Sequence, residues 1–231
     1  MTLIYILMAL APALAIALYI YWKDTHEKEP VDVLVMCFIF GILICFPAGI
    51  WNSGVFEIFG FDLDQEDNGF LISFFMAFFV VGLGEEILKY LVVVFYAFRK
   101  PCFNEPFDGI VYAVMASLGF AAFENIFYVM EGGLAVAIMR MFTAVPMHAA
   151  FGVIMGYYIG LSKYYQGAAR TEKSLKGLFY AIVLHGAYDF VLFQDDFPLL
   201  GFLVFPLIIW AISLCRKAIK KHLDVSPFQS Q

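Results

Sequence analysis

Seven apolar runs fill nearly all of this 231-residue chain, at about residues 2–22, 31–51, 70–98, 107–130, 134–162, 175–194 and 197–217. A helix needs about 20 apolar residues to cross the hydrocarbon core of a bilayer, and each run is near or above that length. Hydrophobic residues make up 63% of the chain, against about 45–50% for a soluble domain. The polar gaps between runs are under about 20 residues, the scale of ordinary connections. These features predict an all-α fold: one polytopic transmembrane bundle of seven helices over residues 1–231, with no separate soluble domain.

The basic residues set an expected orientation. Lys23 and Lys28 follow the first run and Arg99 and Lys100 the third. Lys163, Arg170, Lys173 and Lys176 lie in or beside the fifth loop, and Arg216, Lys217, Lys220 and Lys221 follow the last run. The second and sixth loops carry no Lys or Arg; they are acidic, with Glu57, Asp62, Asp64, Glu66 and Asp67, then Asp195 and Asp196. Positive charge concentrates on the cytoplasmic side of membrane proteins, so the N-terminus is expected outside and the C-terminus in the cytoplasm. The loop over residues 52–69 reads as an interfacial segment, with a substrate-entry lid as the sharper alternative. The net charge of −6 and the lack of a basic patch with interleaved aromatics exclude a nucleic-acid partner; the bilayer is the expected partner. Cys37, Cys45, Cys102 and Cys215 form no CxxC pair and indicate neither a zinc knuckle nor a redox motif.

Charged groups inside these runs need an explanation. A charge near the bilayer centre costs about 2.5–3.5 kcal/mol on insertion scales. Glu85, Glu86 and Lys89 nonetheless sit in the third run, Glu124, Asn125 and Tyr128 in the fourth, His148 and Arg140 in the fifth, and His185 and Asp189 in the sixth. At about 1.5 Å per residue, Glu86, His148 and Asp189 lie about 20 Å above the cytoplasmic ends of their helices, His185 about 14 Å and Glu124 about 26 Å. They share a central slab although successive helices alternate in direction. Lys89 is four residues from Glu85 and three from Glu86, so it can reach either. The acids diverge by about 100°, so one is expected to pair with Lys89 and the other to face a cavity. His185 and Asp189 are four apart, the spacing at which a carboxylate orients an imidazole. Both histidines continue seams of small residues: Ala144, His148, Gly152, Gly156 and Gly160, then Gly177, Ala181, His185 and Asp189. Such seams mark helix–helix contact in membranes. Arg140 reads as an outer-interface anchor or a partner for Glu131.

Several chemistries are excluded. There is no HExxH zinc motif and no GxSxG nucleophile elbow, and no base can be paired with Ser117. What remains in order along the chain is Glu85-Glu86-x-x-Lys89, Phe123-Glu124-x-x-x-Tyr128, His148, and His185-x-x-x-Asp189. This ordered set resembles that of the PrsW-type intramembrane proteases, a family grouped with the CAAX-processing and bacteriocin-processing membrane proteases. The resemblance covers a catalytic core at about residues 70–195. It implies a membrane-embedded endopeptidase of the bacterial plasma membrane acting on a membrane-anchored protein substrate. For the family's namesake that substrate is an anti-sigma factor, cut first at a site-1-type position to release a stress response.

Amide hydrolysis needs an activated water and stabilisation of an oxyanion. Glu86 or Glu85 is expected to be the base, with Glu86 favoured. His148 and His185 are expected to position water or donate to the oxyanion, Asp189 to orient His185, Lys89 to balance the acids, and Glu124 to act as a further acid. Asn125 and Tyr128 are supporting residues. No cofactor is required by this scheme. The alternative is Zn2+ on Glu86, His148 and His185, the ligand types of an open catalytic zinc site. Rival readings are a proton-coupled transporter, a haem-binding protein using both histidines, and a non-enzymatic membrane scaffold. The transporter reading lacks the internal repeat such proteins carry.

Overall fold

The computed structural model describes residues 2–62, 69–194 and 197–228. The acidic loop residues Asp64, Glu66, Asp67, Asp195 and Asp196, and with them residues 63–68 of the candidate lid, lie outside the described residues. Among the described residues the fold consists of helices alone: α1 Thr2–Lys23, α2 Val31–Phe59, α3 Phe70–Phe75, a π-helical segment Met76–Gly82, α4 Leu83–Phe95, α5 Pro106–Phe142, α6 Ala144–Ser162, α7 Gly167–Phe193 and α8 Val204–Leu223, with short 3-10 turns between some of them. Helix is the solution that satisfies every backbone group within a segment where no water is at hand.

Six segments are long and apolar enough to cross a membrane: Leu3–Lys23, Val31–Phe59, Phe70–Arg99, Pro106–Ser162, Gly167–Phe193 and Leu199–Leu223. The sequence reading counts seven because it divides the fourth. Runs 107–130 and 134–162 follow one another with no polar loop, and together they form a 57-residue helical segment. That segment is not straight. Gly133 takes φ 68° and ψ −155°, a conformation open to glycine and costly for residues with a Cβ, and the chain folds back there into a helical hairpin.

The hairpin closes on small residues. A Cβ on Gly109 would overlap the backbone of Gly156 and Gly160, and one on Gly156 would overlap Gly109. The two limbs therefore lie backbone against backbone, which glycine permits. This is the seam expected of Gly152, Gly156 and Gly160. The first limb of α5 is the axis of the bundle: residues 106–122 are all buried, packed among α1, α2 and α6. α7 packs against α6 and the π segment, and α8 against α6.

α5 starts with a capping box. Pro106 stands at its first turn, and Asp108 Oδ2 accepts from the backbone N–H groups of Asn104 (2.6 Å) and Glu105 (2.8 Å). Four carboxylic side chains, Asp24, Glu29, Glu105 and Asp108, are buried at this end of the bundle. Tyr112 Oη donates to Glu29 Oε2, and Glu29 also faces Asp108. Burial, followed by the neighbouring Asp108 charge, pushes the Glu29 carboxyl from 4.5 up to about 10. Burial likewise raises Asp24 from 3.8 to about 6. A carboxyl whose folded pKa is raised favours the fold while protonated, and that contribution is lost as pH climbs from the unfolded towards the folded value. The thermal stability of the wild type is therefore expected to decline between about pH 5 and about pH 9. Glu29→Gln should flatten that decline and melt higher than wild type at the alkaline end. Melting curves of the two proteins in detergent across this range check it; parallel curves would show that Glu29 is not held protonated.

Candidate active site

The residues singled out by sequence converge from four helices. Just before Glu85 and Glu86, the helix loosens into the π segment Met76–Gly82. π segments leave carbonyls poorly matched to the helical ladder, and here Val80 O accepts from Trp51 Nε1 of α2 at 3.2 Å. α4 then resumes and carries both acids and Lys89 into the protein, away from lipid: Glu86 is 0% exposed, Lys89 1% and Glu85 3%.

Lys89 is the centre of the arrangement. Its ammonium donates to Glu85 Oε2 at 3.2 Å and Glu86 Oε1 at 2.7 Å, and lies 3.1 Å from His148 Nδ1. An ammonium has three hydrogens to donate, and there are three acceptors. The ring of Phe120 lies 4.2 Å below it. The expectation that one acid pairs with Lys89 while the other stands apart is corrected: Lys89 holds both. Its flexible four-carbon stem carries the ammonium between the two carboxylates, and the divergence of their Cα positions is bridged at the tips.

α7 adds His185 and Asp189. His185 Nδ1 lies 2.8 Å from Glu86 Oε1. The other ring nitrogen, Nε2, is 3.2 Å from Asp189 Oδ2 and 3.9 Å from Glu85 Oε2. Phe151 stacks on the imidazole with ring centroids 4.5 Å apart. Glu86 Oε2 has no hydrogen-bond partner among the described residues. His148 bridges to the outer part of the site, with Nε2 3.1 Å from Glu124 Oε2. Since Lys89 donates to Nδ1, Nε2 carries the ring proton and donates to Glu124.

Three residues that sequence reasoning did not place here join the set. Asn52 of α2 donates to Glu85 Oε1 at 3.3 Å, and Trp51 ties α2 to the π segment. Arg140 is neither an interface anchor nor a partner of Glu131: its Nη2 donates to Glu124 Oε2 at 2.6 Å and its Nε to Asn125 Oδ1 at 2.5 Å. Tyr128 lies under the Arg140 guanidinium at 3.9 Å and is itself 39% exposed. Ser117 is buried with no hydrogen-bond partner among the described residues, so none of them activates it as a nucleophile.

One carboxylate oxygen of Glu85 and one nitrogen each of His148 and His185 lie within 4.8 Å of one another. The converging glutamate is Glu85, where the sequence reading put Glu86. Glu86 is drawn instead to Lys89 and to the Nδ1 face of His185, which leaves the Nε2 face turned to Glu85. The donor set of one carboxylate and two imidazoles fits zinc.

A helical bundle of membrane-spanning length with ionisable groups gathered at its centre defines a polytopic membrane protein with a buried polar site. Comparison with known sequences defines it further: residues 29–214 match the PrsW family intramembrane metalloprotease, and the chain belongs to that family. It is 34% identical to Protease PrsW of Bacillus subtilis (strain 168) over 95% of this chain and 96% of the relative. Protease PrsW of Oceanobacillus iheyensis is 36% identical over 90% and 91%, and that of Clostridioides difficile (strain 630) 32% identical over 95% and 92%. No solved structure matches the chain. The protein is a membrane protease, a multi-pass integral protein of the bacterial membrane.

Proposed function

We propose that the protein hydrolyses a peptide bond in or next to the membrane segment of an anchored protein, with Glu86 activating the attacking water. One observation carries this reading. Glu86 Oε1 is fixed by Lys89 and His185, while Oε2, fully buried, has no hydrogen-bond partner among the described residues. That oxygen is an acceptor whose lone pairs are not committed to another group, which is what a general base needs. Glu86 takes a proton from water as its oxygen attacks the carbonyl carbon, then returns it to the amine nitrogen as the C–N bond breaks. Lys89 supplies the positive charge beside the developing oxyanion, His148 holds Lys89 through Nδ1, and Asp189 holds the far side of His185.

A zinc-dependent version is favoured by the convergence of Glu85, His148 and His185. Those three residues would hold the ion, which would supply a Lewis-acidic, water-activating centre. The metal-free version is favoured by Lys89, an ammonium already bonded to Glu85 and next to His148. Elemental analysis of purified protein, paired with cleavage before and after a strong chelator, separates the two. On the metal-free reading zinc is substoichiometric and chelation changes cleavage less than about twofold, against a loss of several decades if the metal makes the nucleophile. Stoichiometric zinc with activity abolished by chelation and restored by zinc would replace it with the zinc mechanism.

The substrate class implied by family resemblance is a membrane-anchored anti-sigma factor, cut first at a site-1-type position. The catalytic core is assigned to residues 70–195 of a single membrane domain. The fold-back at Gly133 and the basic residues at one end of the bundle support seven crossings, N-terminus outside and C-terminus in the cytoplasm.

A further inference from the structure

Arg140 lies fifteen residues beyond Asn125, across the break between the fourth and fifth apolar runs, a separation of about 22 Å if the helix ran straight. The turn at Gly133 instead brings its guanidinium onto Glu124 and Asn125 at 2.6 and 2.5 Å. Two of its nitrogens are engaged, one on the carboxylate and another on the amide oxygen, and the guanidinium lies over the Tyr128 ring. Asn125 is anchored in turn, its amide reaching Ala9 O of α1 at 3.5 Å. Glu124 Oε2 accepts from both Arg140 and His148 Nε2. The chain of contacts therefore runs from Arg140 through Glu124 and His148 to Lys89 and the two acids. Arg140 and Glu124 are 17% and 19% exposed at the side chain, and the residues behind them are nearly sealed.

We propose that Arg140 is a positioning residue of this site: by locking Glu124 it holds the His148 ring with its proton on Nε2 and its Nδ1 lone pair turned to Lys89 and the Glu85–His185 group. The proposal rests on the protease reading for its purpose but not for its test. An imidazole has two neutral tautomers, and the one present is set by the partner of the outer nitrogen. Two polar partners set this tautomer, Lys89 at Nδ1 and Glu124 at Nε2; without Arg140, Glu124 is free to turn away from Nε2, and Lys89 alone is left to hold the ring. A lysine at position 140 offers charge but no planar fork, so it cannot hold Glu124 and Asn125 together.

The experiment is nitrogen NMR of ring-labelled histidine in the purified full chain in lipid nanodiscs. The chain has 4 histidines, and His148→Asn assigns the signal. Wild type should show His148 as a single species protonated at Nε2, whether or not a metal sits on Nδ1. Arg140→Gln should convert it to a mixture of tautomers, Arg140→Lys to a mixture weighted towards wild type, and His185 should be unchanged in both. If Arg140→Gln does not fold, Arg140→Lys alone decides. A single wild-type-like His148 signal in either folded variant overturns the proposal. Cleavage is scored separately, as new N-termini generated in bacterial membranes by the reconstituted protein. Arg140→Gln should lower their yield about tenfold, within the range for losing alignment of a catalytic group. A wild type that generates none would contradict the protease reading and leave the NMR result standing.

Discussion

Lys89→Met is expected to unfold the centre of the bundle. The ammonium is bonded to Glu85 and Glu86 and faces His148 at 3.1 Å, and it is 1% exposed. Methionine fills most of the same volume, so packing is nearly kept and the loss is electrostatic. Two carboxylates are then left buried without their shared cation. Breaking a buried pair from one side costs about 3–5 kcal/mol, and two acids share this lysine, so the effect should reach at least the upper part of that range. It should appear as a large fall in melting temperature in detergent and as poor yield in membranes. The cause can be isolated by removing the stranded charges. Adding Glu85→Gln and Glu86→Gln to Lys89→Met should recover most of the lost stability while activity stays absent. If the triple variant is no more stable than Lys89→Met alone, the damage is steric and Lys89 is not the balancing charge.

Glu86→Gln is expected to leave the fold nearly intact and to remove about 10²–10⁴-fold of the cleavage rate, the contribution of a positioned general base. Lys89 keeps Glu85 and His148, and the glutamine amide can still accept at Oε1, so no buried charge is stranded. Glu85→Gln is the informative companion. Glu85 is held by Asn52 at one oxygen and by Lys89 at the other. On the metal-free reading its loss should cost less than that of Glu86. On the zinc reading it removes a ligand, and metal content should fall together with activity. Rates and zinc content of the two variants, measured side by side, distinguish these outcomes.

Much of this arrangement is legible in the sequence because hydrocarbon penalises charge so heavily. Glu85, Glu86, Lys89, Glu124, His148, His185 and Asp189 stand out against apolar surroundings, and helical rise alone puts them at similar depths. The glycine seams likewise foretell where α6 meets α5. What sequence could not supply falls into two kinds. The first is angular. Glu85 and Glu86 are one residue apart, and the preceding π segment changes the phase of the helix, so no wheel drawn from residue 70 could say which acid meets the histidines. The second is long-range. Arg140 reaches Asn125 and Glu124 because the backbone turns at Gly133; dividing the runs at 131–133 places the turn but does not say which residues of the two limbs meet across it. Asn52 was read as loop, whereas α2 continues to Phe59 and delivers it to Glu85. A polar residue just beyond an apolar run, in line with its helical phase, was the available signal.

The central claim, that this is a protease whose working group is Glu86, is tested most directly in cells of a bacterial host carrying the wild-type chain or Glu86→Gln at equal membrane abundance. N-terminal mass spectrometry of the membrane fraction reads the result. The predicted outcome is a small set of new protein N-termini, in or beside apolar segments of anchored proteins, present with wild type and absent with Glu86→Gln. The same termini at the same yield from both strains would contradict it.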